Sequence, residues 1–169
     1  MNTRKSLLAL LAAIVISITV GPARAHQKAD KDDCDQKDKC LTGTWTVKAT
    51  PPPQSGQAPF SSIMTFTEDG NLIETANGGS PPALGNPGLG VWGKQGDHLF
   101  AWTFLFYDYD MSLQLIDTGK VRGKIKLDKD GDKFTGKVEV TIYNLDGSVQ
   151  FSGPGGTVEG KRVKLEPLP

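Results

Sequence analysis

The strongest constraint on the fold is an apolar run from His98 to Asp110, with the sequence HLFAWTFLFYDYD. A strand with one face in water alternates apolar and polar residues. In this run the even positions are Phe100, Trp102, Phe104 and Phe106, and the odd positions are Leu99, Ala101, Thr103, Leu105 and Tyr107. Both faces of this central strand are apolar. Each face therefore needs a cover, supplied by the rest of the chain or by a partner.

The remaining pattern predicts an all-β domain over residues 41–166. Alternating residues indicate strands at 41–50, 60–67, 72–76, 90–94, 98–109, 119–128, 133–144 and 148–164, the last broken or bulged at 153–156. Asp-Gly pairs at 69–70, 130–131 and 146–147 are typical of tight hairpin turns. Such turns place successive strands side by side. We expect an eight-stranded up-and-down antiparallel barrel, which hides its strand edges, with a two-sheet sandwich as the alternative.

The first 25 residues have the pattern of a secretory signal peptide. Arg4 and Lys5 precede an apolar run, and Ala23-Arg24-Ala25 has small residues where a signal peptidase reads. The alternative is a membrane anchor, for which the run is short. The sequence thus predicts a secreted or periplasmic protein with no membrane span after cleavage. No cluster of basic residues indicates a nucleic-acid partner.

Residues 26–40 predict a charged, solvated tether that ends in a small disulfide loop. The segment is almost devoid of apolar residues and contains Cys34; Cys40, the second of the two cysteines, closes it. An oxidising compartment favours pairing of Cys34 with Cys40. A metal or redox pair is the alternative, but five intervening residues fit neither a zinc-ligand nor a C-x-x-C spacing.

Two short motifs lie in the first and last predicted strands, Gly43-Thr44-Trp45 and Gly160-Lys161-Arg162. This combination resembles the lipocalin or calycin pattern, in which a G-x-W opens the barrel. The resemblance implies that Arg162 packs over Trp45 and helps to close the barrel; an ordinary surface arginine is the alternative. A central strand that is apolar on both faces also makes the chain similar to the allene-oxide-cyclase-like and dirigent-like barrels, many of which are oligomeric.

The even face of the central strand predicts an aromatic lining for the barrel lumen. If that face points inward, other inward residues join it and Glu74 supplies a polar group at a mouth. The candidate ligand-binding residues are Met64, Phe66, Glu74, Trp92, Phe100, Trp102, Phe104 and Phe106. Such a lining suits a flat or hydrophobic ligand. The alternative is a lumen filled by its own side chains.

No catalytic motif is recognised, so catalytic residues are not predicted. Tyr107-Asp108-Tyr109-Asp110 offers phenol and carboxyl groups for acid–base chemistry, or is merely a polar strand exit. Asp128–Asp132 departs from the calcium-loop pattern and is better explained as a turn. We expect no metal and no cofactor. Three hypotheses follow: a barrel that binds a small hydrophobic ligand, a cyclase or isomerase, and a structural protein that assembles as a homo-oligomer.

Overall fold

The computed structural model describes residues 40–77 and 87–168, which form eight β-strands and one short 3₁₀ helix at Pro53–Ser55. The predicted signal peptide and the tether before Cys40 lie outside these residues. Within them, no helix has the length and apolarity needed to cross a membrane. The strands are β1 (Gly43–Thr50), β2 (Phe60–Phe66), β3 (Asn71–Ala76), β4 (Gly88–Gly96), β5 (Leu99–Tyr109), β6 (Leu115–Leu127), β7 (Lys133–Tyr143) and β8 (Val149–Arg162).

The strands close into an antiparallel barrel in the order of the sequence. Each strand pairs with the next, and β1 also pairs with β8, where Trp45 lies opposite Arg162. The predicted eight-stranded up-and-down barrel is therefore confirmed, and the sandwich is not formed. Closure leaves no unpaired strand edge among the described strands.

Two strands begin at least two residues earlier than the sequence predicts. β4 begins at Gly88 rather than at residue 90. β6 begins at Leu115, because the β5–β6 ladder extends to the pairs Asp108–Asp117 and Tyr109–Leu115. The expected irregularity in β8 is present, since its register against β7 shifts between Gly156 and Pro154.

The barrel is sealed at the end where β1 begins and β8 ends. A continuous core of aromatic and aliphatic side chains fills this end, with Trp45 and Leu41 fully buried. The Trp45 and Phe134 ring centroids are 4.9 Å apart, and Phe66 meets Phe134 edge to face at 6.5 Å. Edge-to-face and tilted ring pairs of this kind are favourable geometries for aromatic packing. We call this half of the lumen the floor.

Glycines on the inner face make room for the aromatic rings. A Cβ atom at Gly123 would overlap the Trp102 indole, and one at Gly160 would overlap the Phe134 ring. Phe106 lies in the same way over Gly119. Large rings therefore lie flat on a neighbouring strand rather than across the lumen, which is how eight strands enclose so many aromatic side chains.

Candidate functional site

The upper half of the lumen is open, in contrast to the floor. Inward residues near the ends of β3, β5 and β7, including Ala76, Phe106 and Ile142, are only half-buried, and Phe151 at the rim is 50 % exposed. We call this upper half the cup; its deepest residues are Ser62, Glu74, Trp102 and Phe104. Its upper residues are the part of the inner face that is least covered by the rest of the barrel.

The Arg162 side chain fixes the opposite end. Its guanidinium lies 4.3 Å from the centroid of the Trp45 ring. It also donates hydrogen bonds to the carbonyl oxygens of Gly131, Thr42 and Cys40 at 2.6–2.7 Å. Three charge-assisted bonds and a cation–π contact hold the start of β1, the β6–β7 turn and the end of β8 together. The floor is therefore a rigid base for the cup.

Glu74 is the carboxyl at the bottom of the cup, and it lies deeper than the mouth position expected for it. The side chain is only 8 % exposed. It makes no ion pair with any residue of the described segments. Burial raises the pKa of the Glu74 carboxyl, an effect partly opposed by the neighbouring Ser62 hydroxyl. A buried carboxyl without a partner cation is costly in its charged form, which makes Glu74 a candidate functional group.

Three buried side-chain atoms on the inner face of the cup have no hydrogen bond of good geometry: Oγ of Ser62, Nε1 of Trp102 and Oδ1 of Asp117. Ser62 lies beside the Glu74 carboxyl and Asp117 beside that of Asp108, and the Trp102 side chain is 4 % exposed. The other two tryptophans differ: the indole N–H of Trp45 donates to the carbonyl oxygen of Leu41, and that of Trp92 to the carbonyl oxygen of Thr67. Each unpaired buried group costs about 1–3 kcal/mol. Trp102 and Ser62 are therefore candidates to bind a ligand directly.

An aromatic wall connects these polar groups. The Trp102 and Phe104 rings stack at 5.3 Å with an angle of 8° between their planes. The Phe104 ring lies over Gly88, which pairs with Glu74 in the β3–β4 ladder. The stacked pair thus extends from Gly123 on β6 to Gly88 on β4, the residue that pairs with Glu74. Ser62 adjoins Glu74 diagonally, because it pairs with Ala76 on the same face of β3.

A second acidic feature lies at the rim, where Asp108 of β5 is directly opposite Asp117 of β6. Burial, then repulsion from Asp117 and a hydrogen bond shared with it, raise the pKa of Asp108 to about 6. Like charges directly opposite one another destabilise a strand pair. Tyr107 is outward and exposed, so no phenol–carboxyl pair forms between Tyr107 and Asp108.

The structure divides the predicted lining residues between the two halves of the lumen. Phe66, Trp92 and Phe100 belong to the packed floor, where Trp92 contacts both phenylalanine rings at 5.9 Å. Met64 is buried beside Glu74 in the β2–β3 ladder. The cup contains the rest of the predicted lining, Glu74, Trp102, Phe104 and Phe106, together with Ser62, which the sequence did not single out.

The remaining predictions concern the disulfide, the turn at Asp128–Asp132 and the absence of a metal site. The predicted partner of Cys40, Cys34, lies outside the described residues, so their disulfide stays a prediction; Cys40 itself is buried. Asp128 accepts backbone N–H bonds from Asp132 and Lys133, as expected for a turn. Among residues 40–77 and 87–168, no cluster of three or more His, Cys, Asp or Glu side chains is placed to hold a metal ion.

The outside of the barrel carries two further features. A groove of about 750 Å³ crosses β7, β8, β1, β2 and β3, and its lining includes exposed side chains such as Lys48, Thr75 and Lys161. Exposed apolar residues cover β3 to β5: Ile73 pairs with Leu89, which pairs with Leu105, at 47 %, 60 % and 52 % exposure. We call this row, with Val91, the outer apolar face. It is the second apolar surface expected for the central strand.

No protein-family model matches this chain, and no curated protein matches it in sequence. The arrangement of Trp45 and Arg162 is what the lipocalin-like pattern implies for its members. The family itself stays a prediction.

Proposed function

We propose that this protein is an exported, lipocalin-like barrel that binds a small hydrophobic or aromatic ligand in the cup. The observation that carries the proposal is the Trp102 indole N–H, buried on the inner face without a partner while both floor tryptophans are hydrogen-bonded. The stacked Trp102 and Phe104 rings supply a flat apolar surface beside it. Binding sites of this kind combine an apolar lining with a few orienting polar groups.

The test is binding of N-phenyl-1-naphthylamine, an uncharged aromatic dye whose fluorescence rises in apolar surroundings. We expect saturable binding to the full chain. The substitution Ala76→Trp, on the inner face of β3, fills the cup and abolishes the signal. The matched control is Thr75→Trp, on the outer face of the same strand, which leaves binding unchanged. Equal binding by both variants would place the dye outside the lumen and overturn the proposal.

An acid–base enzyme is the second candidate, favoured by the raised pKa values of Glu74 and Asp108. Inward carboxyls with pKa values shifted toward neutral pH are suited to proton transfer. A cyclase or isomerase of this type would bind a hydrophobic substrate in the cup and lose turnover, but not binding, in the variant Glu74→Gln. A variant that retains full turnover of an identified substrate would remove Glu74 from such a mechanism.

For partners, we propose a second copy of the chain on the outer apolar face. A row of three exposed, directly paired aliphatic side chains is unusual on a monomer surface. A stable interface needs about 800 Å² from each partner. Native mass spectrometry of the wild type and of Leu105→Glu tests this: the wild type should form an oligomer and the variant a monomer. A wild-type monomer at all concentrations would exclude self-association.

For location, we propose secretion or periplasmic export with removal of residues 1–25. Mass spectrometry of the protein from its own cells should find a chain that begins at His26. An intact amino terminus would contradict export through this segment.

A further inference from the structure

We propose that the ligand of the cup is a small aromatic amine that also carries an oxygen acceptor, with its ammonium group bound at Glu74 and its oxygen at Trp102. This inference rests on the proposed function and names the chemical class of the ligand. It follows from the two polar groups at the bottom of the cup, Glu74 and Trp102, and from the aromatic rings beside them.

The ammonium assignment follows from the surroundings of Glu74. Residues paired with it across β2 and β4 are Met64 and Gly88, neither of which carries a charge. Two ion pairs between described residues, Arg122–Glu139 and Lys164–Asp132, lie on the surface of the barrel. A cationic ligand would supply the missing counter-charge, and no lysine or arginine of the paired strand positions would compete with it for the carboxylate. The Ser62 hydroxyl, beside Glu74, can accept a second N–H bond from the same ammonium.

The oxygen assignment follows from the chemistry of the indole. Trp102 Nε1 is a donor only, so its missing partner must be an acceptor. This N–H cannot be satisfied by the ammonium group. A hydroxyl or carbonyl oxygen on the aromatic ring of the ligand satisfies it, while the ring itself packs against the edges of the Trp102 and Phe104 rings, which stack on each other. Aromatic faces next to a carboxyl also favour an organic cation directly.

The test compares four probes that differ in one group at a time, measured by calorimetry. Tyramine carries both the ammonium and the hydroxyl; 4-ethylphenol lacks the ammonium, 2-phenylethylamine lacks the hydroxyl, and 4-hydroxyphenylacetate replaces the ammonium with a carboxylate. We expect tyramine to bind at least tenfold more tightly than 4-ethylphenol, and 4-hydroxyphenylacetate to bind weakest, since a charge-assisted hydrogen bond is worth about tenfold or more.

Two substitutions test which protein side chain binds the ammonium and which binds the oxygen of the ligand. Glu74→Gln should weaken tyramine at least tenfold and change 4-ethylphenol by less than threefold. Trp102→Phe keeps an aromatic ring but removes the N–H, so it should reduce the advantage of tyramine over 2-phenylethylamine. The matched control is Glu159→Gln, an exposed glutamate on the outer face of β8, which should leave all four affinities unchanged.

The outcomes separate this inference from the proposed function. If N-phenyl-1-naphthylamine binds in the cup but the four probes bind with equal affinity, or not at all, the amine assignment is wrong and the proposed function stands. The same holds if Glu74→Gln leaves tyramine binding intact. If neither the dye nor any probe binds, both proposals fail.

Discussion

Asp108 and Asp117 lie directly opposite each other on the inner face of the β5–β6 pair. The raised pKa of Asp108, about 6 against an ordinary value of 3.8, means that the folded chain holds this proton more tightly than the unfolded chain. The resulting stability is fully present below pH 4 and is lost as the pH rises through about 6. Above that pH the pair is a net cost to the fold.

The substitution Asp108→Asn should therefore stabilise the protein at pH 7.5. We expect a gain of about 1 kcal/mol in the free energy of unfolding, a value discounted because solvent screens this half-buried pair. The gain should shrink toward zero at pH 4, as measured by urea denaturation across the pH range. Asp130→Asn, in an exposed turn, is the control and should show no such trend. A variant less stable than wild type at pH 7.5 would contradict the repulsion.

Loss of the Arg162 side chain should be among the most damaging single changes. Arg162→Ala removes the cation–π contact with Trp45 and leaves the carbonyl groups of Thr42 and Cys40 without this donor. We expect a loss of about 2–4 kcal/mol in the free energy of unfolding. Arg122→Ala is the control: its ion pair with Glu139 is exposed and should cost less than about 1 kcal/mol. Similar losses for both arginines would argue against a closing role.

The glycines beneath the aromatic rings should resist even a methyl group. Gly123→Ala pushes a Cβ into the Trp102 indole, and overpacking of this kind costs about 1–3 kcal/mol. Gly93→Ala on β4 meets nothing within 4 Å and should be neutral. Thermal denaturation of both variants measures the difference. The double variant Gly123→Ala with Trp102→Leu should recover part of the loss; no recovery would mean that the indole is not the obstacle.

The predicted bond between Cys34 and Cys40 should be detectable as a linked peptide. We expect non-reducing peptide mapping to find the two cysteines joined, and Cys34→Ser to lower the free energy of unfolding by no more than about 2 kcal/mol, because the loop is short. Reduction of the wild type should reproduce the effect of Cys34→Ser. Two alkylatable thiols in the exported protein would contradict the pairing.

Much of the fold follows from the sequence because the signals are local. Alternating residues fix which side of each strand is apolar, and the Asp-Gly turns at Gly70, Gly131 and Gly147 have the positive φ angles that favour glycine. The start of β4 at Gly88 is not predicted, because local composition does not show that the Phe104 ring covers this glycine from the next strand. The start of β6 was missed for a similar reason, since facing carboxyls at Asp108 and Asp117 are disfavoured by pairing rules alone.

The candidate site was less predictable. Glu74 and Trp102 were identifiable as inward residues from the period of two along their strands. The lack of hydrogen-bond partners at Ser62 and Trp102 could not be predicted from the sequence, because a hydrogen bond depends on which backbone oxygen lies nearby in space. Trp45, Trp92 and Trp102 have the same chemistry in sequence, and only the folded barrel distinguishes the two satisfied indoles from the unsatisfied one.

The pairing of Trp45 with Arg162 places the first and last strands of the barrel side by side at the floor. The chain therefore enters and leaves on the side away from the cup. A fusion partner, an immobilising surface or an affinity tag attached at either strand end leaves the mouth clear for diffusion of a small molecule. The same adjacency makes the barrel a candidate for circular permutation, with β1 joined directly to β8 and new ends opened in an exposed turn.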